Sequence, residues 1–122
     1  MIDRDLLYGL SADDPQFVAL RLAEFLTQGT VWVERARDAV REQSARKLYA
    51  AVHELSKTVR YAGVAGLLRN QAAEAHDLAG LSPLDARLPQ SPAEFYELLD
   101  AMLVQFEIES VEARRLLKEL ES

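Results

Sequence analysis

Leu48, Val52, Leu55, Val59 and Ala62 recur at steps of four, three, four and three residues. That spacing stacks side chains along one stripe of an α-helix. The same rhythm runs through Val18, Leu22, Phe25, Gly29, Trp32, Ala36 and Ala39, and Phe95, Leu99, Met102, Phe106, Val111, Ala113 and Leu117 supply the apolar residues of a last segment. A helix with one apolar stripe gains stability by burying it against another such stripe. No stretch alternates with the two-residue period of a strand, and no internal repeat or low-complexity tract interrupts the pattern. The chain is therefore expected to be all-α.

Helix boundaries follow from local chemistry. Asp13 and Asp14 before Pro15 cap the first long helix and oppose the positive end of its dipole. Gly29, inside that helix, reads as a tolerated weak point or slight bend, costing about 1 kcal/mol relative to alanine. Ser44 reads as the N-cap of the second, which Gly63 ends. "VAGLLRNQAAEAHDLAG" supplies a third helix closed by Gly80, and the proline-rich "LSPLDARLPQSP" is a connector. Ser91 to Glu94, "SPAE", is a capping box opening a last helix that runs to about Leu120. Residues 2–9 are expected to form a short extra helix closing one end.

At 1.5 Å per residue the outer two long helices span roughly 40 Å and the middle pair roughly 25 Å. Short links favour antiparallel neighbours, so the expected architecture is an antiparallel up-down four-helix bundle with a short extra N-terminal helix. The 122 residues fit one domain, 1–122. A chain of that size buries roughly two thirds of its unfolded surface. Cysteine is absent, which removes disulfides and thiolate metal sites and is compatible with a reducing cytoplasm. The opening "MIDRDLLYGL" is not a signal peptide, and no stretch reaches the roughly 20 apolar residues of a membrane span. A net charge of −6 argues against nonspecific nucleic-acid binding. The expectation is a cytoplasmic protein with no nucleic-acid or membrane partner.

The stretch "AAVHELSKTVRYAG" holds His53, one of two histidines. On a helical wheel His53 lies about 140° from the centre of the Leu48/Val52/Leu55/Val59/Ala62 stripe, on the exposed side. Arg46, Tyr49, Lys57 and Arg60 share that side, and Ser56 lies at its margin. A neutral imidazole at His53 would offer a ring nitrogen with a nucleophilic lone pair. The cations suit a phosphoryl group or an acidic partner. On spacing alone, a lone histidine on a polar helix face is ordinarily a solvated side chain. The residues by themselves leave both readings open.

The segment "HELSKTVRYAG" resembles the signature of histidine-containing phosphotransfer (HPt) domains, roughly His-x-Leu-Lys-Gly-Ser with a glycine ten positions after the histidine. His53, Leu55, Thr58 and Gly63 fall at matching positions. The similarity extends upstream through "DDPQFVALRLAEFL", with its acidic-Pro start and Phe25, and downstream through the third helix and the final acidic helix. Two positions depart from the pattern. Ser56 stands where the family has lysine, and Lys57 stands at the following, usually small, position.

The resemblance implies a four-helix bundle and a phosphoryl carrier in a multistep two-component phosphorelay. His53 would be the phosphoryl acceptor and donor between receiver-domain aspartates. Lys57 and Arg60 would neutralise phosphoryl oxygens, with Ser56 a hydrogen-bond donor, while Arg46, Tyr49 and Ala50 would dock the partner and Gly63 would form the helix-terminating turn. The partners implied are the receiver domains of a hybrid histidine kinase and of a response regulator. Mg²⁺ would come from the receiver, with no intrinsic cofactor and no metal site. No ATP-binding element accompanies the motif, so the expected role is that of a carrier, as a free-standing monomer, rather than a kinase. The alternative is an HPt-like docking or regulatory module that binds receivers or kinases without being phosphorylated.

From Glu34 to Arg69 eight Lys/Arg face four Asp/Glu, against the acidic balance of the whole chain. Such a basic hairpin would attract an acidic receiver pocket. Other bundle chemistries find less support. Neither His53 nor His76 has a glutamate three residues before it, as a di-iron carboxylate site requires. There is no Gly-rich phosphate loop and no readable Ser/His/Asp set. His76 reads as a surface or boundary residue, and Tyr61 and Trp32 as packing residues or its edge.

Overall fold

The computed structural model describes residues 1–80 and 92–121. Those residues form five helices: α1 (Arg4–Leu10), α2 (Pro15–Arg41), α3 (Ala45–Tyr61), α4 (Leu67–Gly80) and α5 (Pro92–Glu121). The predicted connector before Pro92, and with it Ser91 of the capping box, lies outside the described residues.

Two of the predicted caps form, at Asp14 and Ser44, whereas Asp13 sits in the preceding turn at φ +57°. Asp14 accepts a hydrogen bond from the Gln16 N–H at 2.9 Å, with Pro15 in the first turn of α2. The Ser44 hydroxyl accepts from the Lys47 N–H at 3.2 Å, which starts α3. The short N-terminal helix is α1, capped by Asp3, which accepts from the Leu6 N–H at 3.1 Å. It begins later than residues 2–9 suggested, because Ile2 is used otherwise. Ile2 pairs with Val64 in an isolated antiparallel bridge, the Asp3 N–H donates to the Gly63 carbonyl (2.8 Å) and the Ala65 N–H donates to the Met1 carbonyl (2.6 Å). The chain start thus clips onto the α3–α4 turn, and the Met1 amino group meets the buried Glu109 carboxylate of α5.

α2 packs against α3 and α5, α3 against α4, and α4 against α5. The stripe Leu48, Val52, Leu55, Val59 and Ala62 is wholly buried. It meets Val18, Leu22, Phe25, Ala36 and Ala39 of α2 and Phe95, Leu99, Met102 and Phe106 of α5 in one core. Three predicted stripe members are displaced, the third being Leu117, which is half-buried beside the buried Leu116. Val33, not Trp32, occupies the buried position of α2, and Trp32 is half-buried at the core's edge. In α5, Val111 is exposed, and Ala113 and Leu116 take the inward places.

Gly29 is not a weak point but a close-approach position. A Cβ there would overlap Cε1 of Phe106 and come within 2.8 Å of its Cδ1. The Phe106 ring, itself buried, stacks on Phe25 with centroids 5.1 Å apart. Only glycine lets α2 and α5 approach over that pair of rings.

The ends of α2 and α3 set the level of the candidate site. α3 closes in a Schellman arrangement: the Gly63 N–H donates to the Arg60 carbonyl and the Val64 N–H to the Val59 carbonyl, with Gly63 at φ +71°. α2 closes in the same way through Gln43, at φ +56°, with the Ser44 N–H donating to the Ala39 carbonyl. Ser44 therefore ends one helix and caps the next, which fixes the start of α3 against α2.

Candidate functional site at the His53–His76 pair

His53 lies on the exposed face of α3, opposite the buried stripe. One turn before it Tyr49 is half-buried against the core, its ring nearly parallel to the imidazole at 14°, with centroids 6.2 Å apart. The unexpected neighbour comes from α4. His53 Nδ1 stands 3.4 Å from His76 Nε2, and the two imidazoles are tilted by 40° with centroids 5.4 Å apart. Tyr49 also flanks His76, centroid to centroid 5.3 Å. The two histidines of the chain and one tyrosine thus form a single aromatic cluster across the α3–α4 interface.

His76 therefore joins the candidate site; the sequence reading of it as a surface or boundary residue agrees with its half-buried position but misses this neighbour. On α4 the buried positions are largely alanines, Ala72, Ala75 and Ala79, and their small bulk lets α4 lie close to α3. His76 follows the buried Ala75 and flanks that stripe. At the end of α4, Gly80 would place a Cβ 3.7 Å from Tyr49 Cε2. A helical wheel gives the direction of His76 but not its height against α3, so its pairing with His53 was not legible.

The other predicted site residues occupy the same outer face of α3 with different degrees of freedom. Ser56 and Lys57 are half-buried, and Arg46, Ala50 and Arg60 are exposed. Lys57 Nζ lies 3.7 Å from Glu54 Oε1 in an i, i+3 pair. Arg60 places its guanidinium carbon 5.3 Å from the Tyr61 ring centroid, and Arg21 of α2 lies over the same ring at 4.7 Å. Thr58 turns its hydroxyl back onto the Glu54 carbonyl at 2.9 Å. Ala50 lines a groove of about 360 Å³ between α2 and α3, together with Trp32, Arg35 and Lys47.

The basic balance of this stretch is partly spent internally. Lys47 pairs with Glu42 at 2.9 Å, Arg41 with Asp38, and Arg37 with Asp100 of α5. Exposed pairs of this kind contribute little to stability and exchange readily, so the cations remain able to turn toward an anionic partner.

Chemically the site presents an accessible imidazole whose Nδ1 is engaged by a second imidazole. Among the described residues nothing hydrogen-bonds to His53 Nε2. In the tautomer whose Nδ1–H donates to His76 Nε2, the lone pair of His53 sits on Nε2. No group of three or more His, Asp or Glu side chains gathers among the described residues as a metal site, and none of their helices is long and apolar enough to cross a membrane. Compared with known protein families, curated proteins and solved structures, the chain matches none.

Proposed function

We propose that this protein is a histidine phosphotransfer protein of a multistep phosphorelay, an antiparallel up-down four-helix bundle carrying a phosphoryl group on His53. The observation that carries the reading is an exposed histidine on α3 whose Nδ1 faces a hydrogen-bonding partner, His76, at 3.4 Å. The resemblance of "HELSKTVRYAG" to the HPt signature supports it independently. So does the ring of contacts in which each long helix meets its neighbours in sequence and α5 returns to α2, as an up-down bundle requires.

In the proposed step, the Nε2 lone pair of neutral His53 attacks the phosphorus of a receiver-domain aspartyl phosphate in line. The bond between phosphorus and the aspartyl oxygen breaks, and its electron pair returns to the aspartate carboxylate. The Nδ1 proton of the resulting imidazolium passes to His76 Nε2 or to water. Reversal onto a second receiver's aspartate completes the relay. Such transfer depends on positioning and charge neutralisation more than on covalent chemistry. Lys57 and Arg60 supply charge, Ser56 a donor, Arg46, Tyr49 and Ala50 the docking face, and the receiver its own Mg²⁺. The carrier is cytoplasmic and monomeric.

Incubation with phosphorylated receiver domains tests the proposal. The carrier transfers label to His53, and His53→Gln abolishes transfer with the helical fold intact. Receiver binding without label in the wild type would instead favour a docking module, the reading kept open by Lys57 at the usually small position.

A further inference from the structure

We infer that His53 and His76 form a two-imidazole site for a tetrahedral transition-metal ion, Zn²⁺ foremost, and that the ion and the phosphoryl group exclude one another at His53. The first half stands on geometry alone, whereas the second rests on the phosphorelay reading.

The spacing argues for a shared ion. Zinc binds imidazole nitrogen at about 2.0–2.1 Å in tetrahedral sites, so two nitrogens on one ion stand roughly 3.3–3.4 Å apart. His53 Nδ1 and His76 Nε2 are separated by 3.4 Å. Ordinary helix ends and caps fix the two backbones: α3 starts at the Ser44 cap and α4 follows the Gly63 turn. Tyr49 flanks both rings and limits their rotation. His53 is exposed and His76 half-buried, so an ion can enter and water can fill the two remaining positions. Neutral imidazoles suit Zn²⁺, Cu²⁺ and Ni²⁺, whereas Mg²⁺ prefers oxygen ligands. The Mg²⁺ expected at a receiver would therefore not occupy this site.

Exclusion follows from counting protons. A neutral imidazole has one N–H and one lone pair. When a metal takes the lone pair at His53 Nδ1, the ring proton sits on Nε2, which then has nothing with which to attack phosphorus. When Nδ1–H donates to His76 instead, the lone pair lies on Nε2 and the ring can accept a phosphoryl group. Zinc would thus hold the carrier in a non-accepting state without moving a helix.

Zn²⁺ titration of the full chain in phosphate-free buffer, followed by calorimetry and by the imidazole NMR resonances, tests the site without any receiver. Outer-shell partners alone are worth about 10–100-fold in metal affinity, so removing one of two ligands should weaken binding by at least roughly tenfold. The expected result is one ion per chain in the wild type, shifts at both histidines, and that loss in both His53→Gln and His76→Gln. Equal binding by wild type and variants, or shifts at neither ring, would overturn the site. In the second arm, zinc should reduce label uptake by the wild type from a phosphorylated receiver below its zinc-free rate, with a midpoint at the zinc affinity found in the receiver-free titration. Uptake undiminished in zinc-loaded wild type, or inhibition with a midpoint unrelated to that affinity, would overturn the exclusion. If no chain takes label even without zinc, the relay reading fails, and the receiver-free titration still decides the metal site.

Discussion

The ring of Phe106 in α5 lies directly over Gly29 of α2, in the place a side chain at that position would occupy. Gly29→Ala sets two effects against each other. Alanine gains about 1 kcal/mol of helix propensity over glycine, while forcing a methyl group into a packed core costs typically 1–3 kcal/mol. Phe106 is buried and stacked on Phe25, so it has nowhere to retreat and overpacking wins. Denaturant unfolding should show a net loss of up to about 2 kcal/mol; a gain in stability would mean that the helices part without cost.

Two left-handed residues at helix ends should respond in opposite directions. Gly63 sits at φ +71°, and a Cβ there would lie 2.7 Å from Leu7 Cβ and 2.9 Å from the Asp3 carbonyl oxygen. Left-handed backbone costs an L-residue about 1–2 kcal/mol, and the contacts add to it. Gly63→Ala should therefore lose about 2 kcal/mol or more. Gln43 already bears that strain at φ +56°. Gln43→Gly relieves it against a smaller entropic cost of about 0.5–1 kcal/mol, so thermal melts should rise modestly, by up to about 1.5 kcal/mol equivalent.

These positions also separate what the sequence makes legible from what it does not. Caps at Asp14 and Ser44, the stop at Gly63 and the buried face of α3 all depend on residues within one or two turns of each other, and pattern reading finds them. Gly29, Trp32 and His76 depend on what a neighbouring helix places opposite. A single-helix wheel carries no such information. Gly29 reads as a weak point for want of Phe106, and the pairing of His76 with His53 goes unseen for want of the height at which α4 meets α3. For Trp32 the approximate 3.6-residue period admits either of two adjacent residues, and the core selected the smaller Val33.

Tyr49 should prove to be a positioning residue for the two imidazoles. Its contacts are made by the ring, so Tyr49→Phe should preserve stability and the NMR line positions of both histidines. Tyr49→Ala removes a half-buried aromatic and two ring contacts, with aromatic pairs worth about 0.5–1.5 kcal/mol each beyond area burial. It should lower stability by about 1–3 kcal/mol and broaden the His53 and His76 ring signals. Unchanged signals in Tyr49→Ala would show that the imidazoles hold each other without it.

Lys57 distinguishes an electrostatic role from a structural one. Its pair with Glu54 is only half-buried and long at 3.7 Å, so Lys57→Ala should leave stability within about 0.5 kcal/mol of wild type. If its ammonium turns from Glu54 to the phosphoryl group, the same change should slow transfer from a receiver by roughly tenfold, equivalent to about 1.4 kcal/mol. Faster transfer in Lys57→Ala would identify the side chain as an obstruction to the incoming receiver.

The most direct measurement is the fate of radiolabelled phosphate when purified phosphorylated receiver domains from the same genome meet the wild-type chain and His53→Gln in parallel. Acid-labile, base-stable label is expected on the wild type and none on His53→Gln, with both proteins equally helical. Label on both proteins, or no label on the wild type from any receiver, would contradict the claim that His53 carries the phosphoryl group.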